Sequence, residues 1–202
     1  MKVCVLDIGM GNIGSIVNMI RKTGHYALVV KKPCDLPDTG KVILPGVGHF
    51  DQGMINLHGL ELYAPLNERI QQHKIIVLGI CLGMQLLTNG SEEGTQRGLG
   101  WLKTDCKRFN LSPPLRVPHM GWNIVSPVTS TKLFNDIEEL RFYFVHSYYL
   151  SISREMNILG TTEYGQSFVS VAQSDNVYGV QFHPEKSHHS GMQLLKNFIE
   201  KC

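Results

Sequence analysis

The sequence predicts an α/β fold: a mainly parallel central sheet flanked by helices, with an additional, partly antiparallel region in the second half. Three observations carry this. Short β-branched runs alternate with amphipathic stretches through the first half. Several of those runs are apolar on both faces, as strands covered by helices on both sides must be. From Trp101 onward the texture changes to shorter alternating runs with few helical stretches.

Taken in order, Lys2 to Asp7 reads as a first strand, followed by a Gly-rich turn and an amphipathic helix from about Asn12 to Lys22. Tyr26 to Val30, Val42 to Leu44 and Ile75 to Leu78 are further buried strands, with helical spacing near Leu60 to Gln72 between the last two. In a sheet of this kind, sites gather beyond the carboxyl ends of the strands. The second half offers strands at Leu102 to Phe109, Trp122 to Val125, Phe142 to Val145, Phe168 to Gln173 and Val177 to Val180. The loop Asn110 to Pro118, with three prolines, is a surface excursion. Met192, Leu194, Leu195, Phe198 and Ile199 give Gly191 to Lys201 the spacing of a packed helix. At 202 residues, one domain over residues 1–202 is the expectation.

Composition narrows the function classes. Hydrophobic residues make up 43% and charged residues 18%, the balance of a globular protein. A formal charge of +2 provides no general field for nucleic acid or an anionic membrane surface. No apolar run approaches the ~20 residues that span a bilayer, and the first residues carry no export signal. Five widely spaced cysteines, without any Cys-x-x-Cys, suggest neither a disulfide framework nor a zinc ribbon, and a reducing cytoplasm fits them.

Three segments carry chemistry. The strand Ile75 to Leu78 runs into Gly79-Ile80-Cys81-Leu82-Gly83 and then an apolar helical stretch, the pattern of a nucleophile elbow with cysteine in the serine position. Amides and the macrodipole at a helix start favour thiolate over thiol. A buried structural cysteine remains the competing reading of that pentapeptide alone. His183 and Glu185 emerge at the end of the strand Tyr178 to Phe182. In extended chain, residues two apart point to one side, so Glu185 can orient His183 while His183 exchanges a proton with Cys81. Pro45-Gly46-Val47-Gly48 follows another strand of the same sheet and can supply backbone N–H groups. With the amide of Leu82 it could form an oxyanion hole, since acyl transfer places negative charge on the carbonyl oxygen.

Those three segments, in the chain order Pro45 to Gly48, Gly79 to Gln85 and Gly179 to Glu185, closely resemble the signature segments of class I glutamine amidotransferases. Pro118 to Asn123 and Phe144 to Tyr149 look more specifically like the glutaminase subunits of imidazole glycerol phosphate synthases, and the resemblance spans nearly the whole chain. It implies the flavodoxin-like α/β fold of that family and hydrolysis of glutamine through a γ-glutamyl thioester, with no cofactor and no metal. By the resemblance, Cys81, His183 and Glu185 form the catalytic triad. Backbone groups of Val47 and Leu82 lie at the oxyanion, and Gly46, Gly48, Gln85, Ser147 and Tyr148 surround bound glutamine. It also implies a (β/α)8-barrel cyclase as heterodimer partner, which receives the ammonia in histidine biosynthesis and activates the glutaminase. Asn12, Ser15, His119, Met120, Gly121, Trp122 and Asn123 resemble parts that face that cyclase.

Other readings stay open on the sequence. A paralogous subunit feeding ammonia to amidination of a cell-surface sugar has a similar glutaminase half, and Leu99 to Leu102 and Glu185 to Met192 keep it in view. Gly9-Met10-Gly11-Asn12-Ile13-Gly14 satisfies Gly-x-Gly-x-x-Gly, but Lys31-Lys32 stands where a dinucleotide site expects an acid. His183, His188 and His189 match no metal-ligand spacing, and the last two read as solvated helix-start residues. A non-catalytic binding subunit would have no use for an intact Cys81, His183 and Glu185 set.

Overall fold

The computed structural model describes residues 2–202. Five strands form the parallel part of the sheet: β1 (Lys2–Leu6), β2 (Tyr26–Val30), β3 (Gly40–Gly46), β4 (Ile75–Cys81) and, from much later in the chain, β13 (Val177–Val180). Between them run α1 (Ile13–Lys22), α2 (Phe50–Gly59), α3 (Tyr63–Gln71) and α4 (Leu82–Leu86). The second half adds β5 (Gly90–Ser91), β6 (Asp105–Arg108), β7 (His119–Ile124), β8 (Ser126–Pro127), β9 (Arg141–His146), β10 (Tyr148–Leu150), β11 (Asn157–Glu163) and β12 (Ser167–Ser174). Helix α5 (His188–Lys201) follows β13.

The large sheet has the order β2-β1-β3-β4-β13-β12-β10-β6-β5, with β11 pairing β12 and β8, and β7 and β9 form a separate antiparallel pair. Strand alternation decides its layers. Val3, Val5 and Ile43 point to one face, where Ile16 and Ile20 of α1 and Leu195 and Phe198 of α5 close one core. Cys4, Leu6, Val42 and Leu44 point to the other, against Met54 and Leu57 of α2 and Leu66 and Ile70 of α3. The expected α/β architecture is therefore observed, and the antiparallel part begins where β12 joins β13.

Several elements differ from the expectation. Helix α2 has weak periodicity because Gly53 and Gly59 dilute it, yet Gly53 packs tightly against Leu86 of α4. The strands β10 and β11 also lack a clear signal, β11 because a register irregularity at Gly160 breaks its alternation. The strand expected to run to Phe182 ends at Val180, although Gln181 N–H still donates to the Ser170 carbonyl at 2.9 Å. Helix α5 begins at His188 rather than Gly191.

Candidate active site

Three adjacent parallel strands deliver the site. Gly46, the last residue of β3, is in register with Cys81 at the end of β4, and Val180 of β13 is in register with Ile80 on the other side. At Cys81 the chain turns from strand to helix within one residue, with φ 55° and ψ −113°. A non-glycine residue in that left-handed region costs about 1–3 kcal/mol, and tight surroundings hold it there. A Cβ on Gly83 would lie 1.8 Å from the Leu44 carbonyl oxygen, and one on Gly46 would lie 2.9 Å from the Gly83 nitrogen. The glycines of both loops thus let α4 start directly against β3. Because α4 has only five residues, the activation expected from a helix macrodipole reduces to its first-turn amides.

His183 and Glu185 reach Cys81 differently from the extended arrangement expected. His183 caps a single 3-10 turn, Pro184–Lys186, and this turn rather than strand geometry brings the two side chains together. His183 Nδ1 donates to Glu185 Oε1 at 2.8 Å, with both side chains almost fully buried. Carboxylate on Nδ1 leaves Nε2 free to face Cys81, and among the described residues Nε2 has no hydrogen-bond partner. Burial by itself pushes the imidazolium pKa down, but the facing Cys81 sulfur and the Glu185 carboxylate outweigh it and raise the pKa to about 10.

These groups open onto a cleft of about 300 Å³ whose walls include Val47, Gly48, Leu82 and Gln85 on one side and His146, Ser147 and Tyr148 on the other. Gly46 lies beneath it, buried against Leu82. Gln85 donates to the Tyr148 carbonyl at 3.0 Å, tying the elbow helix to the opposite wall. Glu93 is a wall residue that sequence reasoning missed. It sits in an irregular loop with no periodic or motif signal, and its Oε2 accepts the Phe50 N–H at 2.8 Å, anchoring the start of α2 to the cleft. Gln181, also missed as a site residue, is fully buried and donates to Cys81 Sγ at 3.7 Å.

The residues expected at a partner surface separate by strand alternation. On β7, Met120, Trp122 and Ile124 are exposed at 61%, 41% and 45%, an apolar row pointing outward. His119 is turned inward instead, its ring stacked between Phe144 and Tyr164 at centroid distances of 4.9 and 4.0 Å. The His119 side chain therefore lies behind the outward face of β7 rather than on it. Asn123 is half-buried and bonds to His119 Nε2, Gly121 has an open Cβ position, and Trp122 stacks on His188. Asn12 caps α1 by accepting the Ser15 N–H at 3.3 Å. In the glycine-rich turn before α1, Asp7 pairs with Lys31 at 3.0 Å. Among the described residues, no helix is long and apolar enough to cross a membrane, and no group of three or more His, Cys, Asp or Glu side chains is placed to hold a metal.

Comparison with known proteins agrees with this geometry. The family model "Glutamine amidotransferase class-I" matches residues 4–202. The imidazole glycerol phosphate synthase subunit HisH 2 of Methanococcus maripaludis is 52% identical over 99% of this chain and 100% of its own. The subunit of the same name from Pseudomonas aeruginosa is 46% identical, covering 98% of each chain. Among solved structures, a glutamine amidotransferase superposes with a TM-score of 0.77 at 16% identity, over 98% of this chain and 97% of that one. A glutamine amidotransferase from Thermotoga maritima gives 0.66 at 19% identity, covering 99% and 81%. The structural likenesses establish the fold; the family match and the full-length identity to HisH subunits go further, and the chain belongs to the class-I glutamine amidotransferase family.

Proposed function

We propose that the chain is a single-domain glutaminase subunit of an imidazole glycerol phosphate synthase, hydrolysing glutamine and passing ammonia to a (β/α)8-barrel cyclase in histidine biosynthesis. The observation that carries the chemistry is the conjunction of a left-handed Cys81 with the buried His183–Glu185 pair in one cleft. The names of the full-length relatives support the pathway.

In this reading the Cys81 thiolate attacks the side-chain amide carbon of glutamine. Negative charge collects on the carbonyl oxygen, near the backbone N–H groups of Val47 and Leu82. His183, held protonated by its surroundings, gives its Nε2 proton to the departing nitrogen, so that the carbon–nitrogen bond breaks, ammonia leaves and the acyl group stays on Cys81 as the γ-glutamyl thioester. His183 then takes a proton from water as the water attacks the thioester, releasing glutamate and restoring the cysteine. Glu185 orients the ring throughout. Gly46, Gly48, Gln85, Ser147 and Tyr148 shape the glutamine site, and the Glu93 carboxylate on the cleft wall suits the substrate's α-ammonium group. The exposed row of Met120, Trp122 and Ile124, with Asn12 and Ser15, forms the face offered to the cyclase.

The test is covalent labelling. With 6-diazo-5-oxo-norleucine, an electrophile shaped like glutamine, peptide mass spectrometry should place one adduct on Cys81, and excess glutamine should prevent it. Absence of labelling with the barrel partner present, in a chain that is folded, contradicts the glutaminase reading.

A further inference from the structure

The cysteine is not held by the triad alone. A chain of hydrogen bonds runs from the exposed strand β7 to the sulfur, and each group's orientation in it is determined by its neighbours. The Tyr148 carbonyl, which can only accept, receives His146 Nδ1 at 2.8 Å and Gln85 Nε2 at 3.0 Å.

Outward from that carbonyl, the proton on His146 Nδ1 leaves its Nε2 as an acceptor, which requires His119 Nδ1, 3.0 Å away, to be the donor. His119 Nε2 then accepts from Asn123 Nδ2 at 3.2 Å. The Asn123 amide is held in this sense by the Glu163 carbonyl accepting from its nitrogen at 2.9 Å and the Ile124 N–H donating to its oxygen at 2.8 Å. Burial keeps both rings neutral, with pKa values lowered to about 4 for His119 and about 3 for His146, so the tautomers do not change near neutral pH.

Inward, the same carbonyl aims the nitrogen of Gln85 rather than its oxygen, and that nitrogen also donates to Gln181 Oε1 at 3.1 Å. With its oxygen engaged, Gln181 turns its own nitrogen to Cys81 Sγ at 3.7 Å. Gln181 is fully buried, so no water competes for this donor. The titratable side chains that share the cleft with Cys81 are His183, with Glu185 behind it on the turn after β13, His146 on β9, Tyr148 on β10 and Glu93 on the loop after β5.

We propose that Gln181 is a positioning residue for the nucleophile: its amide, turned by Gln85 and the Tyr148 carbonyl, donates to Cys81 Sγ and favours the thiolate. The inference rests on the reading of Cys81 as the glutaminase nucleophile. It also gives the partner-facing strand a route to the sulfur, because Asn123 and His119 lie on β7 and orient His146.

The experiment is the pH profile of Cys81 alkylation by iodoacetamide on the full-length chain, read peptide by peptide so that exposed Cys34 is an internal reference. Gln181→Met removes the donor at similar volume. Gln181→Glu keeps an acceptor for Gln85 but cannot donate, and Gln181→Asn keeps the donor but withdraws it by one methylene. Loss of a hydrogen bond to a charged group predicts a midpoint raised by about one unit, with alkylation at pH 7 slowed roughly tenfold in the Met and Glu variants and less in Asn. Circular dichroism identifies the folded variants. Any folded Met or Glu variant whose profile overlays the wild type overturns the role of Gln181. If both fail to fold, the Asn variant decides: an unshifted profile there overturns it. A wild-type Cys81 no more reactive than Cys34 at pH 7 overturns the nucleophile reading instead.

Discussion

His183 and Glu185 are bonded Nδ1 to Oε1 at 2.8 Å across a single 3-10 turn, both side chains almost fully buried. In the proposed mechanism the carboxylate holds the ring and takes no part in bond making, so the three triad residues should fail unequally. Cys81→Ala abolishes glutamine hydrolysis; His183→Ala lowers kcat by about 100- to 10,000-fold, in keeping with loss of proton transfer; Glu185→Ala lowers it less. In a complex with the proposed cyclase, Cys81→Ala retains synthase activity on added ammonium. Steady-state kinetics on both nitrogen sources check the order, and a larger loss from Glu185 than from Cys81 contradicts it.

The raised pKa of His183 has a definite sign in stability. The folded protein holds this proton up to about pH 10, whereas the unfolded chain releases it near the ordinary histidine value of about 6.5. Its contribution is fully present below about 6.5 and is lost as pH rises through about 10. Tm should therefore fall on the alkaline side across that window, with a shallower slope in His183→Gln. Equal slopes in the two proteins count against a protonated His183.

His119 and His146 behave in the opposite sense. Burial lowers their pKa values to about 4 and about 3, so the unfolded chain takes up protons first as the solution is acidified. Stability from these rings is present above about 6.5 and is lost as pH falls towards 4 and 3. His119→Phe preserves the stacking between Phe144 and Tyr164 but removes the donor to His146 Nε2. It should cost about 1–3 kcal/mol at neutral pH for the stranded acceptor and flatten part of the acid limb. Urea denaturation at pH 5 and pH 7.5 measures both effects.

Gly83→Ala tests the close packing of the elbow. Its new Cβ would overlap the Leu44 carbonyl oxygen, a backbone atom near the carboxyl end of the interior strand β3. The variant should lose about 3 kcal/mol or more of stability, together with Cys81 reactivity, because relief of the overlap must lift α4 away from β3. A thermal melt and the Cys81 alkylation rate test the two losses separately.

Trp122→Ala should weaken binding of the proposed cyclase partner by roughly tenfold or more, as expected of an aromatic anchor, while leaving the chain's own Tm little changed because the ring lies on the outer face of β7. Titration calorimetry with the purified partner gives the affinity. An unchanged affinity would move the interface elsewhere.

Much of the candidate site was legible before the fold because its parts are local. Cys81 between glycines after an apolar strand, His183 and Glu185 two apart, and the Pro45 to Gly48 turn each require particular backbone shapes within a few residues, and short-range sterics record such requirements in residue type. The alternation of apolar runs likewise determined the parallel sheet and its layers. Contacts between distant segments depend on how the chain folds back on itself. Glu93 and Gln181 join the site through contacts with Phe50 and Cys81, 43 and 100 residues away, for which no local pattern exists. Helix α2 forms against α4 despite its glycines because packing, not propensity, stabilises it. His119 and His146 look like any other polar residues in their strands; their neutrality and fixed tautomers come from the aromatic rings and carbonyl that enclose them. Sequence records what each segment can do alone, whereas burial and hydrogen-bond direction depend on which segments the fold brings together.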